Sequence, residues 1–125
     1  MTNQEIIKKA SELVSIKKLN GGAVSGEVGS VLVTESGNIY GGVSIDAPCG
    51  IGVCGEHTAI GNMLTGGETR IKKIVAVATE GILSPCGRCR ELMYQVDKGN
   101  AETEVILSEN KVMKLKDLLP EYWQK

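Results

Sequence analysis

Residues 54–89 read CGEHTAIGNMLTGGETRIKKIVAVATEGILSPCGRC, and the architecture is read outward from them. Ala59, Ile60, Met63 and Leu64 recur at helical spacing, which predicts a helix that starts near Cys54 and stops at Gly66-Gly67. From Ile71 to Ala78 the chain is almost unbroken apolar sequence, as expected of a strand covered on both faces. Ser84 is placed to cap a further helix with Pro85 at its first position, where the missing N–H costs nothing. Leu92, Met93 and Val96 carry the buried face of that helix on to Gly99-Asn100. A helix, a covered strand and a second helix in succession point to a sheet with helices packed on its faces.

The flanking sequence extends this pattern. Thr2 followed by Glu5 is a capping box, and Ile6, Ile7, Ala10, Leu13 and Val14 then keep helical spacing up to Lys17-Lys18 and Asn20-Gly21-Gly22. Residues 28–34 and 39–45 read as the two strands of an antiparallel hairpin around Ser36-Gly37. The loop Ala47-Pro48-Cys49-Gly50-Ile51-Gly52 leads to Cys54. Residues 104–108 and 111–116 give two short strands around Glu109-Asn110, and Asp117 opens a terminal helical segment interrupted by Pro120. The order αββαβαββα predicts one domain over residues 1–125, a three-layer α/β/α sandwich with a five-stranded mixed sheet.

Composition narrows the functional classes. With 42% apolar and 23% charged residues the chain is ordinary globular protein, so disorder is not expected. The net charge is −1, and the lysines are scattered or paired without forming a stripe, so a polynucleotide would find little to hold. The first residues, Met1-Thr2-Asn3-Gln4-Glu5, show no basic stretch leading into an apolar run, and no segment approaches the roughly 18 apolar residues of a membrane span. The expectation is a cytoplasmic protein with no membrane partner. In a reducing compartment a Cys-x-x-Cys pair is more often metal-binding or redox-active than disulfide-bonded.

The chemistry lies in the pattern C-x-E followed by P-C-x-x-C: Cys54-Gly55-Glu56, then Pro85-Cys86-Gly87-Arg88-Cys89. Three thiolates are one ligand short of a closed structural zinc site, and the open position is what a catalytic Zn²⁺ uses to hold water. Glu56 can serve that water as acid and base without being a ligand, an arrangement related to that of the zinc deaminases. Placing the cysteines at helix N-termini favours their thiolates. Glu56 lies about 200° around an ideal helix from Cys54, so both reach one metal only if Cys54 sits at the helix start or in irregular chain. Two other readings stand beside this one: a closed four-cysteine site that includes Cys49, and a dithiol redox pair at Cys86 and Cys89. The first leaves Glu56 without a role, and the second leaves Cys54 and Glu56 idle.

These residues resemble the small zinc-dependent cytidine deaminases, including the blasticidin-S deaminase branch. The likeness runs through Val28-Gly29-Ser30, Ile39-Tyr40-Gly41-Gly42-Val43, Cys54-Gly55-Glu56-His57-Thr58-Ala59-Ile60 and Leu118-Leu119-Pro120. The segment from Gly81 to Arg90 looks especially like blasticidin-S deaminase. The resemblance implies hydrolytic deamination of a free aminopyrimidine nucleoside, with water added at C4 and ammonia released, as in pyrimidine salvage. It implies Zn²⁺ held by Cys54, Cys86 and Cys89, with Glu56 moving the protons. It further implies that the Gly55 N–H binds the pyrimidine carbonyl, that the backbone of Ser84 and Pro85 faces the departing amine, and that the chain forms a homotetramer.

Several positions depart from the family pattern. Where the family places Asn-x-Glu to grip the ribose, this chain has Ser44-Ile45-Asp46, followed by a loop one residue shorter. Gly26 stands where an aromatic residue is expected ahead of Val28, and the chain contains no phenylalanine. His57 replaces the arginine that commonly follows the glutamate. Three thiolates on Zn²⁺ leave a net charge near −1, which His57 or Arg88 would offset by donating to the sulfurs, although His57 equally fits simple packing in its helix. Tyr122 and Trp123 either stack on a substrate ring or anchor the last segment. A structural zinc module that binds a partner protein, a deaminase of a modified or non-pyrimidine base or nucleoside, and a polynucleotide editor complete the alternatives.

Overall fold

The first helix, α1 (Asn3–Leu13), opens on the expected capping box. The Glu5 N–H donates to Thr2 Oγ1 (3.2 Å) and the Thr2 N–H to Glu5 Oε1 (3.1 Å), so two otherwise orphaned donors are satisfied. A computed structural model describes residues 1–124. After α1 come β1 (Lys17–Lys18), β2 (Val24–Thr34), β3 (Ile39–Asp46), a 3₁₀ turn (Pro48–Gly50), α2 (Gly55–Thr65), β4 (Ile71–Ala78) and β5 (Gly81–Leu83). Then follow α3 (Gly87–Val96), a second 3₁₀ turn (Lys98–Glu102), β6 (Glu104–Ser108), β7 (Lys111–Lys114) and the single turn α4 (Leu115–Leu118).

All strands join one mixed sheet whose principal order is β3-β2-β4-β6-β7. Every pairing is antiparallel except β4 with β6, which needs a crossover, and α3 supplies it. The alternation of β2 serves both faces. Val31 and Val33 pack with Val75, Val77 and Ile106 beneath Ile6 and Ala10 of α1. Leu32 faces the other way, with Ile74 and Val105, onto Ala59, Ile60, Met63, Met93 and Tyr94 of α2 and α3. The three layers expected from the sequence are therefore present.

Among the described residues the sheet has seven strands rather than five. β1 is two exposed lysines beside Val24 and Ser25, and β5 is three half-buried residues folded back on the end of β4. Neither segment carries the apolar alternation by which a strand is read. β2 also begins four residues ahead of the expected position, because its register with β3 slips between Ser25 and Gly29 and breaks the alternation. Gly26 sits in this bulge at φ +82°, where a Cβ would lie 2.1 Å from the Ser15 carbonyl oxygen.

Two helix starts differ from expectation. α3 begins at Gly87, with Cys86 as its N-cap, so Ser84 and Pro85 stay outside the helix. The Ser84 hydroxyl accepts from Arg90 Nη2 (3.0 Å) instead of capping. α4 begins at Leu115, ahead of Asp117, because Leu115 is fully buried and its N–H donates to the Thr103 carbonyl (2.9 Å). That contact also ends β7 at Lys114 rather than 116.

Buried Asn100 fastens α3 to β4. Its Nδ2 donates to the carbonyls of Thr69 (3.0 Å) and Met93 (2.9 Å), and its Oδ1 accepts from the Ile71 N–H (2.8 Å). A second cluster ties the β2–β3 turn to the segment after α2. Ser36 Oγ, Asn38 Nδ2 (2.8 Å) and the Tyr40 hydroxyl (3.0 Å) all donate to the Glu68 carboxylate. These donors, Ser36 and Asn38 foremost, hold the Glu68 carboxyl down to about 2. Its folded value lies below the ordinary carboxylate range, so the stabilisation is complete at neutral pH and fades as pH falls from about 4.5 toward 2. Glu68→Gln is expected to melt below the parent protein at pH 7, and the two melting curves should converge between pH 5 and 2 in thermal denaturation followed at several pH values.

Candidate metal centre and active-site cleft

Cys54 is the N-cap of α2, in extended conformation at φ −73° and ψ 157°. The chain has therefore not yet entered the helix at Cys54, which removes the angular conflict with Glu56 in the first turn. Cys86 caps α3 in the same conformation, at φ −69° and ψ 165°, and Cys89 lies in the turn that follows. Gly42 lets α2 settle close against β3, because a Cβ there would lie 2.4 Å from the Ala59 nitrogen.

The three sulfurs converge. Cys54 Sγ lies 3.4 Å from Cys86 Sγ, which lies 3.7 Å from Cys89 Sγ, and all three fall within 4.8 Å of one another. Zinc–sulfur bonds of about 2.3 Å in a tetrahedron place sulfurs about 3.8 Å apart, so the cluster fits Zn²⁺ with one position left over. Cys49 is an exposed free thiol at φ +66° in the first 3₁₀ turn and stands outside the cluster. The four-cysteine arrangement is not formed. All four cysteines are free thiols, so Cys86 and Cys89 are not joined as a disulfide.

The thiols are electrostatically unequal. Burial, then the neighbouring Cys86, push Cys54 up. Burial and the negative charges of Glu56, Cys54 and Cys86 push Cys89 up further. Burial also opposes the Cys86 thiolate, yet the backbone N–H of Cys89, the other two thiols and the Arg88 N–H outweigh it, and Cys86 is lowered. A helix N-terminus thus favours one thiolate of the three, and a cation in the middle supplies what the other two lack. Glu56 is 5% exposed, and burial raises its carboxyl above the ordinary carboxylate value.

A cleft of about 510 Å³ opens onto this cluster. Cys54, Gly55, Glu56, Ser84, Cys86 and Arg88 line it, together with Ser44, Asp46 and Glu27. Pro85 stands behind Glu56, in a small apolar recess with Ala76, Val105 and Ile106. The Ser44 hydroxyl accepts from the Val28 N–H (2.9 Å), so it braces the β2 bulge as well as lining the cleft. His57 Nδ1 is buried without a hydrogen-bond partner among the described residues, and Arg88 meets Cys86 through its backbone N–H. Tyr122 stacks on Tyr94 with ring centres 4.0 Å apart, and Trp123 is 75% exposed. Neither lines the cleft.

Two residues had no signal in the sequence. Glu27 is turned to the cleft by the bulge and meets Asp46, whose hydrogen bond and charge raise the Glu27 carboxyl. Arg90 donates to Ser84, Pro85 and Leu118, and a lone arginine inside a helix does not announce such a role.

Residues 1–103 match the family model for the cytidine and deoxycytidylate deaminase zinc-binding region. A cytidine deaminase of Sporosarcina psychrophila is 36% identical over 75 residues, covering 58% of this chain and 55% of that protein. A blasticidin-S deaminase of Bacillus cereus is 37% identical over 76 residues, covering 53% of this chain and 54% of that protein. The matched stretch thus spans about half the length of these curated relatives. The crystal structure of a cytidine deaminase from Burkholderia pseudomallei superimposes with a TM-score of 0.79 at 28% identity, over 98% of this chain and 100% of that one.

Elemental analysis should find one zinc per chain. Cys49→Ser is expected to retain it and Cys54→Ser to lose it. Equal loss in both variants would mean that Cys49 is a ligand.

Proposed function

The chain belongs to the cytidine and deoxycytidylate deaminase zinc-binding family, and on that premise we propose that residues 1–125 form one deaminase domain that hydrolyses a free aminopyrimidine nucleoside and releases ammonia. The observation that carries this reading is Glu56, a buried carboxylate held beside three converging cysteines and lining a cleft sized for one small molecule. A structural zinc module needs neither the spare coordination position nor the glutamate. Charge argues against a polynucleotide, since the chain carries a net −1. Among the described residues no helix is long and apolar enough to cross a membrane.

Cys54, Cys86 and Cys89 would hold the metal, which when bound supplies a Lewis acid that lets water ionise near neutral pH. Glu56 takes one proton from the attacking water and passes it to the ring nitrogen N3, then takes the second proton from the hydroxyl now on C4 and delivers it to the departing amine, so that C4=O forms as ammonia leaves. Its burial raises the carboxyl above the ordinary carboxylate value, the direction that favours proton uptake from water. The Gly55 N–H holds the ring carbonyl, and the Ser84-Pro85 backbone faces the leaving amine. His57 or Arg88 donates to the sulfurs and offsets their charge, Arg88 through the backbone N–H that meets Cys86. We also place the enzyme in the cytoplasm, in pyrimidine salvage, as a homotetramer, a state that light scattering on the purified protein tests directly.

The sugar side of the cleft shapes the choice of substrate. Asp46 is one methylene shorter than a glutamate, about 1.5 Å of reach, and Glu27 stands beside it. Paired carboxyl groups favour a substrate that presents several hydrogen-bond donors at this end, so a modified nucleoside is preferred over plain cytidine.

Glu56→Gln should keep the zinc and the fold while lowering turnover by several orders of magnitude, because an amide cannot carry protons; a near-normal rate would remove Glu56 from the mechanism. Ammonia release across a panel of aminopyrimidine and purine nucleosides should rank cytidine below a modified nucleoside. The reverse result would be cytidine turnover with kcat/KM of roughly 10⁵ M⁻¹s⁻¹ or more, together with a large loss on Asp46→Ala, showing that Asp46 serves an ordinary ribose.

A further inference from the structure

We propose that Arg90 is a positioning residue that locks the metal-ligand loop to the C-terminal segment, so that the cysteine cluster keeps its geometry only while that segment is docked. This rests on the reading of the three cysteines as a metal site. Residues 84–86 lie between the end of β5 at Leu83 and the start of α3 at Gly87, so no regular element holds them. The Arg90 side chain does. Its Nε donates to the Pro85 carbonyl (2.8 Å) and its Nη2 to Ser84 Oγ (3.0 Å).

The third guanidinium nitrogen reaches the C-terminal segment. Arg90 Nη1 donates to the carbonyl of Leu118 (3.2 Å), the last residue of α4, where an orphaned helix-end carbonyl calls for a cation. A planar guanidinium fixes the mutual orientation of all the groups it bonds, so the loop and α4 are held as one piece. One turn further along the same face of α3, Tyr94 stacks on Tyr122, again clasping the segment after α4. Leu118, Leu119 and Tyr122 pack on the core beside it. The α3 face bearing Arg90 and Tyr94 therefore grips the C-terminal segment twice, and the first grip also sets the chain that ends in Cys86.

Cobalt(II) titration of the full-length, metal-depleted protein tests this, since the charge-transfer and d–d bands report both affinity and coordination geometry. Arg90→Gln is expected to weaken cobalt binding at least tenfold and to alter the d–d bands, with Arg90→Lys restoring only part of the loss, because a single ammonium cannot span the separate acceptors. Tyr122→Ala should weaken binding in the same direction, and the double variant should fall short of the product of the two single effects. Parent-like affinity and bands in Arg90→Gln, with only a lowered melting temperature, would overturn the proposal. Hydrogen exchange on the metal-free chain gives a readout independent of the metal. In Arg90→Gln the amides of Ser84, Cys86, Leu118 and Leu119 should all exchange faster, and unchanged protection of both segments overturns the clamp. If the parent chain itself binds no cobalt, the metal reading fails, and the exchange result still decides the clamp.

Discussion

Two helices start at the same place, and the rest of the molecule is arranged around that convergence. Cys54 and Cys86 both end an extended segment and cap a helix, and their sulfurs lie 3.4 Å apart although 32 positions separate them. Burial first, and then the charge of their neighbours, raises both Cys54 and Cys89, so three thiolates this close resist forming together. A divalent cation converts the repulsion into attraction, so metal binding and the docking of α2 against α3 are coupled through one electrostatic term. The sheet makes the convergence possible. The parallel pairing of β4 with β6 requires a crossover, and α3 is that crossover, on the same face of the sheet as α2.

The cleft is built from the places where regular structure stops. The β2 bulge supplies Glu27, the end of β3 supplies Ser44 and Asp46, the start of α2 supplies Cys54 and Glu56, and the chain between β5 and α3 supplies Ser84 and Cys86. Such positions are free of ladder and helix bonding and can turn side chains toward a ligand, yet they need bracing of their own. Ser44 braces the bulge through the Val28 N–H, and Arg90 braces the loop before α3. The polar side chains beneath the cleft walls thus hold its shape as well as facing its contents.

The three long helices and the cysteine pattern were legible because their signals are local. A capping box closes within four residues, apolar spacing declares a helix face, and the spacing of cysteines in C-x-E and P-C-x-x-C is set by the reach of short chain segments to one metal. The short strands β1 and β5 were not legible, since each owes its existence to a neighbouring strand and not to its own residues. The start of α3 was misplaced for a similar reason: Ser84 has the chemistry of a cap, but Arg90 claims its hydroxyl.

By itself the sequence determined the three layers, the three cysteines that converge and the glutamate beside them, because apolar periodicity and ligand chemistry are encoded in residue type and short-range spacing. Only the tertiary structure decided that Cys49 stands apart, that Glu27 joins Asp46 on the cleft wall, that Tyr122 stacks on Tyr94, and that Arg90 spans two segments. Each of these depends on where a bulge, a loop or a chain end is carried by the packing of distant elements. A side chain's type limits what it can bond to, but the partner it meets is settled by the fold around it.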